Sequence, residues 1–187
     1  MGSEVVVLHV DADALFASVE QRQKPSTALA LVVVCGLGPR GVVATASYEA
    51  RRFGVGSAMP TVTARRRCPQ GMFLAPRTQA YREHSAATMA VLAGFADVLE
   101  QVSIDEAYLV VSAHPGSVTE VVDAVWQGTG LRVSVGAARS KLVTKLASTA
   151  GKPRGQRVNT RSQEQEFLDV LPVAALRGSG RWRRLAA

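Results

Sequence analysis

The sequence predicts an α+β fold: a mixed β-sheet with helices on one face and a small helical insertion around residues 47–70. Three observations carry that prediction. Short apolar runs alternate with amphipathic helical stretches, glycine and proline fall between these segments, and no internal repeat or low-complexity linker interrupts them. The 187 residues, 47% hydrophobic and 20% charged, suffice for one sizeable core and are too few for two full-sized domains.

Val5 to Val10 is a β-branched run that ends at Asp11-Ala12-Asp13, where Leu15, Phe16 and Val19 take up helical spacing until Pro25 closes the helix. Leu29 to Cys35 then reads as a continuous apolar strand, Gly36-Leu37-Gly38-Pro39 as a turn, and Gly41 to Ala46 as the returning strand of a hairpin. Tyr48 to Phe53 and Thr61 to Arg67 read as short helices separated by Gly54-Val55-Gly56 and Met59-Pro60. A strand at Met72 to Ala75 and a helix at Gln79 to Phe95 follow, and then two strands, Val98 to Val102 and Ala107 to Val111, flank Ser103-Ile104-Asp105-Glu106. The remaining elements are a helix at Ser117 to Trp126, a strand at Leu131 to Val135, a basic-faced helix at Ser140 to Ala150 ending at Gly151-Lys152-Pro153, and a helix at Gln163 to Leu171.

The longest apolar run, residues 28–35, is far too short to cross a bilayer, and the N-terminus lacks the basic region of a secretion signal. A cytoplasmic protein with no membrane partner is expected. Cys35 and Cys68 stand in no zinc-ligand spacing and fit two reduced, packed thiols. Charge is distributed unevenly. Residues 1–106 carry 10 basic and 10 acidic side chains, whereas residues 107–187 carry 12 and 5, so the whole formal +7 lies in the second part. Such a block is either a solvated basic face or the footprint of a polyphosphate partner.

Asp11 ends one apolar strand, and Asp105 and Glu106 lie at the end of another, so pairing of the two strands gathers three carboxylates. Clustered carboxylates repel unless a cation intervenes, and magnesium, a hard ion, takes oxygen ligands. Acidic helix caps explain the same residues. Tyr48 and Arg51 stand about one helical turn apart and present a hydroxyl and a guanidinium on one face, a pair suited to phosphate, or to nothing more than core and surface. Lys152 at a helix end, and Lys141 and Lys145 at i,i+4, are phosphate contacts or a solvated stripe.

The run His9-Val10-Asp11-Ala12-Asp13-Ala14-Leu15-Phe16-Ala17-Ser18-Val19-Glu20 resembles the opening motif of the Y-family, DinB-type translesion DNA polymerases. Further similar segments follow in family order: Gly41 to Arg51, Phe53-Gly54-Val55, Ser57 to Pro60, Ser103 to Leu109, Ser134-Val135-Gly136, and Ser140-Lys141 through Lys152-Pro153. The resemblance covers roughly residues 5–176. It implies a polymerase palm, a ferredoxin-like sheet formed by 1–46 and 71–170, with helical fingers at 47–70 and a vestigial start of the thumb at 171–187. It further implies that Asp11, Asp105 and Glu106, helped by the main-chain carbonyl of Ala12, hold two Mg2+ ions, with Glu106 at the position usually labelled catalytic. Tyr48, Arg51 and Lys152 match residues that bind the incoming triphosphate, and Phe16 matches the steric gate against a ribose 2′-hydroxyl. Lys141 and Lys145 are the candidate DNA contacts. The implied partners are primer-template DNA and deoxynucleoside triphosphates, and the implied place is the nucleoid.

Family members continue beyond Leu171-Pro172-Val173 into a thumb and a little finger, which are essentially absent here, so a clamp-binding segment is not expected in this chain and its polymerase activity is expected to be incomplete. The stretch between Leu109 and Leu131 is short for the family, Val110 stands where aspartate is common, and Gly151 where alanine is usual. A non-catalytic remnant with weak DNA or nucleotide binding is the alternative. A nucleotide cyclase also uses paired acids on such a sheet, but it does not account for the segments around Tyr48, Arg51 and Lys152.

Overall fold

A computed structural model describes residues 6–24, 30–112 and 117–176. The N-terminal strand β1 spans Val6–Ala12 and leads into helix α1, Leu15–Gln23. Ala14, between them, takes a left-handed backbone (φ 47°) that reverses the chain tightly. Strands β2 (Val32–Cys35) and β3 (Val43–Ala46) are followed by the short helices α2 (Tyr48–Arg51) and α3 (Thr61–Arg67), and then by β4 (Met72–Leu74). Next come α4 (Thr78–Ala93), β5 (Val98–Gln101), β6 (Glu106–Val111), α5 (Ser117–Thr129) and β7 (Val133–Ala138). Helix α6 (Lys141–Gly151), strand β8 (Gln156–Val158), helix α7 (Arg161–Asp169) and one 3-10 turn at Val173–Ala175 complete the described chain. The helix stop expected at Pro25, the strand start at Leu29 and the thumb segment 177–187 lie outside the described residues.

Five strands form the main sheet in the order β5-β6-β1-β7-β8, antiparallel except for the β7–β8 pair. Side chains alternate along β1. Leu8, Val10 and Ala12 enter a core shared with Leu15, Ala17 and Val19 of α1, Leu92 of α4, and Val118, Val121 and Val125 of α5. His9 and Asp11 face the opposite side. The expectation of helices on one face holds for α1, α4 and α5, but α6 crosses the other face. The reason is Gly136, directly opposite His9: a Cβ there would lie 2.0 Å from the Thr144 carbonyl oxygen and 2.5 Å from the Ser148 nitrogen. Ser140 starts this helix by accepting the Val143 N–H at 3.3 Å, as an N-cap serine does.

A second sheet, of three strands in the order β3-β2-β4, stands apart from the first. The sequence reading anticipated the β2–β3 hairpin but not the division into two sheets, because a continuous apolar strand carries no mark of which sheet it joins. The hairpin closes where the backbone of Gly41 meets Gly36; a Cβ on Gly41 would lie 1.9 Å from the Gly36 carbonyl oxygen. Val33 and Cys35 pack with Val43, Ala46, Ala50, Val55, Ala64 and Cys68 in a core of their own, with α2 and α3 over it. Val32 and Val34, pointing the other way, belong to the main core. Ser47 caps α2 by accepting the Ala50 N–H.

Candidate active site

The register of the main sheet decides which residues meet. Asp11 of β1 lies directly opposite Glu106 of β6, and the Ala12 N–H donates to the Asp105 carbonyl oxygen at 2.8 Å. The three acids expected to converge are thus brought to one end of one strand pair. Two like charges opposite each other on a sheet destabilise it unless they are compensated. Here α6 supplies the compensation: Lys152 Nζ lies 2.6 Å from Asp11 Oδ2, and Lys145 Nζ lies 2.6 Å from Glu106 Oε2. Asp105 accepts the Ser103 hydroxyl at 2.6 Å.

The electrostatics follow from this packing. Burial pushes the Asp11 carboxyl up to about 6; Lys152 opposes the shift, while the charges of Asp105 and Glu106 add to it. Glu106 feels burial in the same direction, but the hydrogen bond and charge of Lys145 outweigh it and hold the carboxyl below its ordinary value. Behind these acids His9 is fully buried, with Nδ1 2.7 Å from Ser148 Oγ of α6 and Nε2 4.0 Å from Glu106 Oε2. Burial, and next the Lys145 charge, lower its pKa from 6.5 to about 4.

Tyr48 and Arg51 stand on α2 as expected, with the Arg51 guanidinium 4.4 Å from the Tyr48 ring centroid and its Nε–H donated to the Ala46 carbonyl at 3.0 Å. Phe16, in the first turn of α1, stacks on Tyr81 of α4 with centroids 4.4 Å apart and planes 11° from parallel. Tyr81 in turn donates to Glu20 at 2.8 Å. Lys141 is not a free cation: it pairs with Glu100 and lies 5.3 Å from the Tyr108 ring centroid.

Asp13 is the residue that sequence reasoning passed over. Its buried carboxylate accepts the Tyr48 hydroxyl at 3.1 Å, the Ser134 hydroxyl at 2.9 Å and the Arg154 backbone N–H at 2.7 Å. It joins α2, β7 and the turn after Lys152. The available signal was its spacing, since a residue two after Asp11 shares its face of an extended chain. A cavity of about 230 Å³ lies beside it, lined in part by Tyr48, Glu49, Trp126, Arg132 and Arg154.

Among the described residues, no three His, Cys, Asp or Glu side chains are gathered as a ready metal cage. The donor set nonetheless fits a hard divalent cation, being all carboxylate oxygen, and two of its members already hold ammonium groups.

Residues 10–149 match the family model described as the impB/mucB/samB family. The chain belongs to the impB/mucB/samB family. This is the Y-family that its motifs resemble, and the family match spans every candidate residue except Lys152. DNA polymerase IV 3 of Mesorhizobium japonicum is 44% identical over 181 residues, covering 93% of this chain and 50% of that protein. DNA polymerase IV of Streptomyces coelicolor is 44% identical over 190 residues, covering 96% of this chain and 40% of its own. Among solved structures, DinB from Sulfolobus solfataricus superposes with a TM-score of 0.90 at 32% identity, covering 96% of this chain and 56% of that one. An insertion ternary complex of Dbh DNA polymerase gives 0.90 at 31%, covering 97% and 58%. The likeness identifies the α+β architecture as the Y-family palm and fingers fold, and this family member spans about half the length of the curated relatives it matches.

Proposed function

We propose that the chain carries the nucleotidyl-transfer centre of a template-directed, lesion-bypass DNA polymerase of the DNA polymerase IV type, acting in damage tolerance in the cytoplasm, at the nucleoid. One observation carries this reading: Asp11 faces Glu106 across a strand pair, with Asp105 adjacent, and burial and mutual repulsion drive the Asp11 carboxyl up to about 6. Such a concentration of negative oxygen calls for cations. In this reading Asp11, Asp105 and Glu106, with the carbonyl of Ala12, hold two Mg2+ ions. When bound, the ions stabilise charge on the attacking and leaving oxygens of phosphoryl transfer.

The chain's own residues do the rest. Arg51 presents a planar fork to phosphate oxygens, Tyr48 a hydroxyl, and Lys152 a compact positive charge; together they hold the triphosphate of a deoxynucleotide. Phe16, backed by Tyr81, fills the volume a 2′-hydroxyl needs. Lys141 and Lys145, released from Glu100 and Glu106, contact DNA phosphates of the primer-template. Residues 1–46 and 71–170 are read as palm, the helical insertion 47–70 as fingers, and 171–187 as the start of a thumb.

A second reading has its own support: Lys145 and Lys152 neutralise Glu106 and Asp11 internally, as a non-catalytic protein would retain them. Fluorescent deoxynucleotide binding in Mg2+, followed by primer extension, separates the two. The polymerase reading, in a chain whose activity is incomplete, expects Mg2+-dependent binding that Asp11→Asn abolishes and at most weak primer extension, which Glu106→Gln abolishes. Binding that Mg2+ strengthens little, with no extension, favours the second reading, and Mg2+-independent binding unaffected by Asp11→Asn overturns the first.

A further inference from the structure

Strand β8 is the outer edge of the main sheet, two strands away from β1 and its Asp11, and only one side of it is paired. Val135 donates its N–H to the Gly155 carbonyl at 3.0 Å, and Asn159 donates its own to the Ala137 carbonyl at 2.9 Å. With Arg157 in register with Gly136 between them, the ladder turns the N–H and C=O groups of Gln156 and Val158 away from β7. None of these four groups has a partner among the described residues.

A cavity of about 410 Å³ wraps this edge, lined in part by Gln156, Arg157, Val158, Asn159 and Glu166. The Arg157 guanidinium lies 4.2 Å from the centroid of the Phe167 ring of α7 and donates its Nε–H to Asn159 Oδ1 at 3.4 Å. That contact fixes which way the amide faces. Asn159 is only 6% exposed, yet its Nδ2 has no hydrogen-bond partner among the described residues. A buried donor left unmatched destabilises the fold unless an acceptor arrives from outside. Arg157, and Arg161 two residues beyond Asn159, have no carboxylate partner among the described residues either, and Glu166 is the one acid on the cavity wall.

We propose that the outer edge of β8 and its cavity dock an extended acidic peptide of a partner protein, added as a sixth strand to the main sheet. Main-chain bonds to Gln156 and Val158 give affinity that is indifferent to sequence, and side chains give the specificity. On the α7 face a carboxylate of the peptide meets Arg157 and an acceptor oxygen meets Asn159 Nδ2. On the opposite face an apolar side chain covers Val158, which is 46% exposed. Acidity is specified by charge, since residues 107–187 carry 12 basic and 5 acidic side chains. A nucleic acid is also anionic, but it has no amide ladder to add to a sheet edge. The surface is separate from the acidic site and does not rest on the polymerase reading.

The test is fluorescence anisotropy of the whole chain with a fluorescein-labelled decapeptide of five Glu-Val repeats. The same peptide N-methylated throughout keeps every side chain but has no main-chain donor, and it should bind about tenfold more weakly. A decapeptide of Lys-Val repeats, which reverses the charge, should also bind about tenfold more weakly. Val158→Pro removes an outward N–H while leaving the bonds of 157 and 159 to β7, and should weaken binding about fivefold. Asn159→Asp replaces the unmatched donor by an acceptor of nearly equal volume and should weaken it by about as much. The proposal is overturned if the wild type does not bind the Glu-Val peptide, if the N-methylated or Lys-Val peptide binds as tightly, or if neither substitution weakens binding. A wild type that dimerises in sedimentation velocity, and that Val158→Pro renders monomeric, would give the edge to a second copy of this chain and overturn the proposal as well. The peptide comparisons need no variant, so they decide the matter even where Val158→Pro misfolds. Deoxynucleotide binding in Mg2+, measured on the same folded variants, should be unchanged and reports separately on the acidic site.

Discussion

Phe16 is held from behind: Tyr81 lies flat against its ring, and the Tyr81 hydroxyl is anchored to the buried carboxylate of Glu20. A ring so backed cannot turn aside for an extra oxygen, and in the proposed polymerase reading selectivity against a 2′-hydroxyl rests on that excluded volume. Phe16→Ala should lower the preference for deoxynucleotide over ribonucleotide roughly tenfold to a hundredfold in competitive binding of fluorescent analogues; an unchanged ratio would remove Phe16 from that role. His9 supports a different expectation. The fold favours its neutral form, so the unfolded chain takes up a proton near pH 6.5 while the folded chain resists until about 4. This contribution to stability is intact above pH 6.5 and is lost as pH falls through 4, amounting to on the order of 3 kcal/mol. Urea unfolding at pH 7.5 and pH 4.5 should show His9→Phe losing less stability on acidification than the wild type. A parallel loss in both would show that His9 does not titrate across folding.

At the level of elements, α6 is the piece on which the site depends, because it carries Lys145 and ends at Lys152, and it reaches the acids only through the space left by Gly136. Gly136→Ala places a methyl against backbone atoms that cannot rotate away. We expect a loss of about 3 kcal/mol in urea unfolding, accompanied by weaker nucleotide binding, and wild-type stability would show that α6 moves off freely. The sequence made the acids legible, since Asp11, Asp105 and Glu106 each follow or start an apolar run whose strand character is plain. The pairing of Asp11 with Lys152, 141 positions away, was not legible: it depends on which face α6 covers, and a strand glycine does not announce that by itself. Strand β8 was missed for another reason. Gln156, Arg157 and Val158 are all exposed and show no alternation; they are a strand only because parallel β7 offers them partners. Asp13 was legible as an acid but not as a junction, because its three donors come from three distant segments.

Taken as a whole, the described residues form three apolar cores, one of them under α6 and α7 around Ala138, Val143, Leu146, Ala147 and Phe167, and the other two share strand β2. Val33 and Cys35 of β2 face the small sheet's core, and Val32 and Val34 face the main one. Val33→Ala and Val34→Ala should therefore each cost about 2 kcal/mol, and both should shift one cooperative transition. Calorimetry checks this: two resolved transitions in Val33→Ala would mean that the small sheet unfolds alone. The shared strand also limits how the protein can move. A hinge needs a connecting segment able to absorb large backbone rotations, and a strand walled on both sides offers none. The small sheet with α2 and α3 is therefore no flap that sweeps shut over the acidic site. On the proposed reading, adjustment around a nucleotide is left to Tyr48 letting go of Asp13 and to Arg51 swinging from the Ala46 carbonyl. Events of that kind run on the nanosecond clock of side-chain rotation, so on the proposed reading nucleotide binding should not wait on the slower, millisecond clock of domain closure.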